Sequence, residues 1–340
     1  MSIIKLMKKI PTLVYFFLFL ICSASAGFYI GKWSELSSIR KEFYSIRQIR
    51  FPNDKYPLVS RLIGVELPNA TDLDIYTDLY NKIKDYTNEQ ISTKPITKFS
   101  FYFRDLNTGL WFGLNQDQEY VPASLFKLPI AITYYKDDSS ENNLLDQYLT
   151  YTKEIDNKLD TQIGLQKSEL VVDESYTIRE LIDKMLIDSD NGAKNLLTEH
   201  INVKTMNTLF NLIQLDGPAQ NNYYISPKEY AFILRILYNG SYLGQEKSQI
   251  LLTRLTQTTF NQGIRKSIPG DILVAHKFGS VNLIDKDTHQ KQIGFHDCGV
   301  IYYPQKPFVL CIMSSGNDQP TLVATAEKVT SLILSYIQDN

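Results

Sequence analysis

Aromatic residues at every second position mark the first strand of the region that follows residue 95. Phe99, Phe101 and Phe103 alternate with smaller or more polar side chains, which is the period of a strand with one face in a core. A turn at 107–109 leads back into a second apolar run over 110–114. Late in the chain the pattern predicts three further strands, at 273–277, 293–303 and 308–314. Strands at both ends of this region could share one sheet.

Helical periods fill the chain between these strands. Thr177 and Glu180 form a capping box ahead of an apolar stripe, and their helix should end near Asp188. Thr71 and Asp74 resemble a second capping box ahead of the first strand. Further stripes predict helices over 202–214, 227–238, 244–256 and 320–338. This order predicts an α+β domain, in which an antiparallel sheet is flanked by helices and the central helices form a second lobe.

The N-terminus carries an apolar run behind basic residues. Lys5, Lys8 and Lys9 precede an uncharged stretch over 10–31, which is long enough to cross a membrane as one helix. The lysines should stay inside, so the rest of the chain should lie outside the cytoplasm, held at the cell membrane by a single span. A cleaved signal peptide is the alternative, since Ala24-Ser25-Ala26 has the form of a cleavage site, and the protein would then be exported.

The predicted organisation has three parts. Residues 1–31 are the anchor or signal peptide, 32–94 a stalk with the leading helix, and 95–340 the main domain. Hydrophobic residues make up 44% of the chain and charged residues 21%, which excludes a disordered or fibrous protein. A net charge of −2 gives no basic excess for nucleic acid. The four histidines and three cysteines show no ligand spacing, so neither a metal nor another cofactor is expected.

Two cysteines fall on the strands of the last predicted hairpin. A turn centred on 305–306 would place Cys298 opposite Met313 and Cys311 opposite Val300, so that the cysteines are diagonal neighbours on one face. Outside the cytoplasm such a pair can form a disulfide. Two buried apolar thiols are the alternative.

A serine and a lysine three residues apart give the first indication of chemistry. Ser124 and Lys127 begin an apolar run, and this spacing places both on one face of a helix. A serine hydroxyl needs a base to take its proton, and a buried lysine that is held neutral can be that base. The same spacing recurs at Ser2 and Ser38 in no pocket-like context, so the motif is not specific alone.

Two further motifs follow in the chain. Ser189-Asp190-Asn191 comes directly after a predicted helix, where it could line a cleft or cap the next helix. Lys277-Phe278-Gly279 stands at a predicted strand end, where the glycine can leave the backbone open to a ligand. Taken alone, that lysine could equally be an exposed strand-end residue.

Together the three motifs resemble those of the penicillin-recognising serine hydrolases, most closely the class A β-lactamase-like branch, over about 97–340. The resemblance implies that Ser124 is the acylated nucleophile and Lys127 its base. It implies that Ser189 passes a proton to the leaving nitrogen and that Asn191 hydrogen-bonds a substrate amide.

The strand motif carries the remaining implied substrate contacts. Lys277 would help to bind the substrate carboxylate, with Gly279 beside it in the K-x-G motif. The backbone N–H groups of Ser124 and Ser280 match the oxyanion hole of the family. Phe278 departs from the family pattern, since a Thr or Ser there supplies a hydroxyl to the carboxylate.

A second departure lies in the loop after Ser189-Asp190-Asn191. Class A β-lactamases carry a glutamate there that activates the deacylating water. The stretch 215–227 contains no glutamate and offers only Asp216 as a carboxylate.

The resemblance therefore implies a serine hydrolase of β-lactamase type with weak deacylation. A penicillin-binding D,D-peptidase-like enzyme is the first alternative, and a non-catalytic binding module on the same scaffold is the second. The expected partners are a β-lactam or cell-wall peptide and, through the N-terminal helix, the membrane. The protein is expected to be a monomer and to bind no nucleic acid.

Overall fold

The structure is a computed structural model that describes residues 19, 21–23, 25–29, 31–32, 49–51, 54–63, 73–93, 95–160, 168–213, 223–284 and 291–339. The chain forms two compact units, residues 1–47 and 48–340. None of the helices that the described residues form has the length and apolar character that a membrane span needs. Much of the predicted span over 10–31, together with Thr71 and the loop residue Asp216, lies outside the described residues.

The strands of the second unit are β1 (Ile49–Phe51), β2 (Arg61–Ile63), β3 (Ile96–Asp105), β4 (Trp111–Leu114), β5 (Tyr148–Thr150), β6 (Ser175–Thr177), β7 (Val274–Ile284), β8 (Lys291–Ile301) and β9 (Phe308–Gly316). The strands β1 and β2 form one small pair, and β5 and β6 form another. The other five described strands make one antiparallel sheet in the order β4-β3-β9-β8-β7. Strands from both ends of the region therefore share a sheet, as the sequence predicts.

The described helices are α1 (Leu73–Thr93), α2 (Lys127–Asp137), α3 (Lys153–Asp160), α4 (Ile178–Ile187), α5 (Asn191–Glu199), α6 (Val203–Leu212), α7 (Pro227–Tyr238), α8 (Gln245–Thr256) and α9 (Gln319–Asp339). The capping box of Thr177 and Glu180 begins α4 as predicted, with both of its hydrogen bonds formed. The helix α5 and the extension of β7 beyond Lys277 were not predicted.

Both faces of the sheet are covered, and β3 shows how. Its residues Phe99, Phe101 and Phe103 lie in one apolar cluster with α1 and α9. Tyr102 points to the other face and lies in a second cluster with the central helices, including α2, α4, α7 and α8. Because α1 packs in the same cluster as β3, its position is tied to the sheet. The predicted domain boundaries at 31/32 and 94/95 remain predictions.

The last hairpin has a different register from the predicted one. Pro304 and Gln305 occupy the centre of a turn that Lys306 N closes on Tyr303 O at 3.1 Å. Proline suits the first central position, and Gln305 has a φ of +61°, as a type II turn requires at the second. The strands therefore pair about 304–305.

This register corrects the predicted placement of the cysteines. Cys298 lies directly opposite Cys311, whereas Met313 lies opposite His296. The prediction of a diagonal pair was wrong, because it centred the turn one residue too late. The two cysteines are joined in a disulfide that is buried in the core.

Candidate active site

The candidate nucleophile lies in a tight turn that runs into a buried helix. Ser124 belongs to the 3-10 turn Ala123–Phe126, and Lys127 is the first residue of α2. Ala123 has a φ of +51°, a left-handed conformation that non-glycine residues adopt at a cost of about 1–2 kcal/mol. Almost every side chain of α2 is buried, so the helix cannot relax this turn by moving. Within this turn Ser124 is half-buried.

The strand β7 approaches this turn closely at Gly279. A methyl group at Gly279 would lie 2.9 Å from the backbone N of Ser124 and 3.2 Å from the Cβ of Ala123. Any side chain there would push the strand and the turn apart. Glycine therefore allows β7 to form one wall of the site beside Ser124.

Residues from all three motifs meet in one hydrogen-bonded cluster. Lys127 Nζ donates to the backbone oxygen of Ser189, to Ser189 Oγ at 3.1 Å and to Asn191 Oδ1 at 2.8 Å. Lys277 Nζ donates to the same Ser189 Oγ at 2.9 Å and to Phe278 O at 3.1 Å. The hydroxyl of Ser189 thus joins the lysine of α2 to the lysine of β7.

The segment Ser189-Asp190-Asn191 serves the site and the next helix together. Asp190 is the N-cap of α5, and its carboxylate accepts from Ala193 N at 2.8 Å. It also accepts from Ser168 Oγ and from the backbone N of Glu169. Ser189 has a φ of +59°, and its hydroxyl and Asn191 both bond Lys127. The capping interpretation is confirmed for Asp190, whereas Ser189 and Asn191 contact Lys127.

Burial shifts the pKa values of the lysines in this cluster. Desolvation lowers the pKa of Lys127 well below its usual value, and the charges of Lys277 and Lys194 lower it further, while Asp190 opposes them. Desolvation also lowers the pKa of Lys277, to about 7, against the pull of Asp297. Lys127 can therefore lose its proton and act as a base. Lys194, on α5, also lowers the pKa of Lys127, although it belongs to none of the three motifs.

The wall formed by β7 is aromatic beside Lys277. Lys277 Nζ lies 4.5 Å from the centroid of the Phe278 ring. That ring stacks on Phe260, with centroids 3.8 Å apart and planes within 15° of parallel. Phe260 belongs to the segment between α8 and β7, and no local pattern in the sequence connects it with Phe278.

Two buried histidines hold the backbone around the site. His276 Nδ1 donates to Asp297 at 2.8 Å, and the second carboxylate oxygen accepts from Ile264 N at 2.8 Å. Desolvation lowers the pKa of His296 to about 4, so its imidazole is neutral and donates from Nε2 to Val121 O at 3.0 Å. This bond fixes the chain just ahead of Ser124.

Ser280 follows Gly279 on β7 and is half-buried. It is thus close in sequence to the contact between Gly279 and Ser124, although its predicted role in an oxyanion hole remains a prediction. Within the described ranges, no group of three or more His, Cys, Asp or Glu side chains is arranged to hold a metal ion.

Comparisons with known proteins find similarity in sequence and in fold. A family model described as the β-lactamase enzyme family matches residues 78–337. β-Lactamase 3 of Bacillus cereus is 26% identical over 254 residues, which cover 68% of this chain and 75% of that protein.

Solved structures share the fold of the domain. PBP-A is similar with a TM-score of 0.64 at 19% identity, covering 78% of this chain and 97% of that one. A PBP-A mutant solved as an acyl-enzyme complex with penicillin G gives a TM-score of 0.63 with the same identity and coverage. A β-lactamase from Chitinophaga pinensis gives 0.63 at 20% identity, covering 76% of this chain and 100% of that one.

Proposed function

Because the chain belongs to the β-lactamase enzyme family, we propose that it is a serine hydrolase that opens β-lactam amides through an acyl-enzyme on Ser124. The observation that carries this proposal is the convergence of Lys127 and Lys277 on the hydroxyl of Ser189, beside the turn that holds Ser124. The acyl-enzyme complex of the PBP-A mutant with penicillin G supports it through the shared fold.

The proposed acylation uses the lysine and the serine of this cluster as proton carriers for Ser124. Neutral Lys127 takes the proton of the Ser124 hydroxyl while the serine oxygen attacks the lactam carbonyl carbon. The N–H groups of Ser124 and Ser280 stabilise the oxyanion that forms. When the carbon–nitrogen bond breaks, Ser189 gives its proton to the leaving nitrogen and regains one from Lys127, whose Nζ lies 3.1 Å from its oxygen. The product is the opened ring joined to Ser124 as an ester.

Hydrolysis of that ester requires a proton acceptor beside a water molecule. Three described carboxylates of this region make structural contacts. Asp190 caps α5, and Asp297 bonds His276 and Ile264. Glu229 accepts from the N and Oγ of Ser226 in the capping box of α7. With no glutamate in 215–227, we expect the acyl-enzyme to persist and β-lactam turnover to be weak.

The test is intact-protein mass spectrometry of the full chain in mild detergent after mixing with benzylpenicillin. We expect the mass of one opened penicillin to be added and to remain for many minutes. Ser124→Ala should show no added mass, whereas Ser92→Ala, which changes an exposed serine on α1, should react like the wild type. Labelling of Ser124→Ala would exclude the proposed nucleophile. Rapid loss of penicillin without an adduct would show that another group activates the water.

A penicillin-binding D,D-peptidase-like enzyme that acts on cell-wall peptides is the second candidate. The absence of a glutamate from 215–227 favours it, because its β-lactam adduct is not required to hydrolyse quickly. Release of the terminal D-alanine from a peptide ending in D-alanyl-D-alanine, measured by a D-amino-acid assay, separates the two. Absence of both reactions would leave the binding-module alternative.

We further propose that the apolar run over 10–31 holds the catalytic domain outside the cytoplasm, at the membrane, where cell-wall peptides and β-lactams are met. Protease treatment of intact cells tests this location. Digestion of the catalytic domain in intact cells supports it, and digestion only after lysis contradicts it.

A further inference from the structure

A substrate bound to Ser124 has to pass the edge of the sheet. Among the strands that the structure describes, β8 is the only sheet neighbour of β7, so the other edge of β7 faces the site. Gly279 brings that edge against the turn of Ser124. An extended ligand joined to Ser124 can lie along β7 and reach Lys277 and Phe278.

The environment of Lys277 at this edge is apolar on one side. Its Nζ lies 4.5 Å from the centroid of the Phe278 ring, within the range of a cation–π contact. The same Nζ donates to Ser189 Oγ and to Phe278 O. The ring contributes no N–H or O–H donor, and its face carries partial negative charge. An anionic group placed here would share a cation that already has three contacts.

The ring of Phe278 is held in place from a distant segment. Phe260 stacks on it, with centroids 3.8 Å apart, and also lies 6.2 Å from the Phe295 ring. The segment that follows Phe260 is fixed by the bond from Ile264 N to the buried carboxylate of Asp297. Packing against Phe260 therefore fixes the position of the Phe278 ring in the wall.

We propose, resting on the proposed function, that Phe278 is a specificity-determining residue that makes this site prefer substrates with an uncharged group beside Lys277 over substrates with a carboxylate there. A carboxylate would lose hydration against the ring and would gain no hydroxyl donor. An uncharged ester or amide loses less hydration when it is placed beside the ring. The lowered pKa of Lys277, about 7, further weakens attraction for an anion near neutral pH.

Benzylpenicillin and its methyl ester are the matched probes, because they differ only at the carboxylate. Acylation rates of the full chain, followed by intact-protein mass spectrometry, should give an ester-to-acid ratio of about one or higher. Phe278→Thr adds a hydroxyl donor, and we expect this ratio to fall about tenfold, the effect of one charge-assisted hydrogen bond. The proposal would be overturned if the ester-to-acid ratio of the wild type is below about one tenth and Phe278→Thr does not change it.

Phe278→Leu separates the donor from the change of size. Leucine keeps hydrocarbon beside Lys277, so the ratio should remain within about threefold of wild type. A fall as large as that of Phe278→Thr would show that space, and not an apolar surface, sets the preference. Calorimetric binding of both compounds to Ser124→Ala reports the preference without acylation. If the wild type is not acylated but Ser124→Ala still binds the methyl ester at least as tightly as the acid, only the proposed function is contradicted.

Discussion

The two walls of the candidate site are built in different ways. The wall on the helical lobe is polar, and its side chains stand at the beginnings of helices: Lys127 opens α2, and Asn191 opens α5. The wall on β7 combines a lysine with a stacked aromatic pair and a bare backbone at Gly279. Under the proposed function, the first wall would supply proton transfer, and the second would select among substrates. Variation in β7 can therefore change selectivity while the proton-transfer groups stay in place.

Replacing the lysine of each wall gives the largest expected contrast. Lys127→Met removes the base and should slow acylation by benzylpenicillin about 10²–10⁴-fold. Lys277→Met should slow it less, because Lys277 contacts Ser189 without accepting the serine proton. Both rates are read by mass spectrometry, with Lys82→Met, an exposed residue of α1, as the control. A larger loss from Lys277→Met than from Lys127→Met would reverse the assignment of the two walls.

Separating the two walls should have the next largest effect. Gly279→Ala places a methyl group 2.9 Å from Ser124 N and displaces β7 from the nucleophile. We expect acylation to slow by about 10²-fold, since a displacement near 1 Å can cost that much. Gly270→Ala is the matched control, because its methyl group would have no neighbour closer than 4.0 Å. Equal rates for the two variants would show that the contact between Gly279 and the turn is unimportant.

The electrostatic coupling within the polar wall predicts a shift with pH. Only neutral Lys127 accepts a proton, so acylation should rise as the pH increases through its lowered pKa. Lys194→Met removes a positive charge that favours the neutral amine, which raises the pKa of Lys127. The acidic limb of the pH–rate profile should move to higher pH, while Lys204→Met, an exposed change on α6, should leave it in place. A limb that does not move, or that moves to lower pH, contradicts this coupling.

Reduction of the disulfide should have the smallest effect on acylation. Cys298 lies opposite Lys277 in the sheet register, but both cysteines are buried away from solvent. Thiol counting on the denatured, unreduced full chain should find one free thiol, that of Cys22. Reduction should lower the free energy of unfolding by about 3 kcal/mol, which is the loop-closure entropy that the cross-link removes from the unfolded chain. It should change the acylation rate less than about threefold. Three free thiols would show that the pair does not form.

The polar wall was largely predictable because its signals are local. Ser124 and Lys127 are three residues apart, and a capping box marks the helix that leads to Ser189. The helix α5 escaped prediction because its nine residues contain few apolar side chains, with Leu196 and Leu197 adjacent. A short helix of this kind has too few turns for a helical period to be visible.

The aromatic wall could not be predicted in the same way. The stack of Phe260 on Phe278 depends on how the segment after α8 returns to the sheet, where Ile264 N bonds the buried carboxylate of Asp297. The register of the last hairpin depended on the positive φ of Gln305, and a glutamine in the sequence does not indicate a positive φ. Long-range packing determined the aromatic stack and a backbone conformation in the turn determined the register, whereas spacing along the chain indicated the polar wall.

The order of strands in the sheet also bears on how the protein is made. The strand β3, the earliest of the five in the chain, pairs with β9, the latest, and β9 stands at the centre of the sheet. Until β9 has been synthesised, β3 and β8 each lack a partner on that side, and their open edges can pair with other chains. Completion of the sheet therefore waits for nearly the whole polypeptide, and contacts of such long sequence separation make folding slow. A chain that terminates early would lack the middle of its sheet.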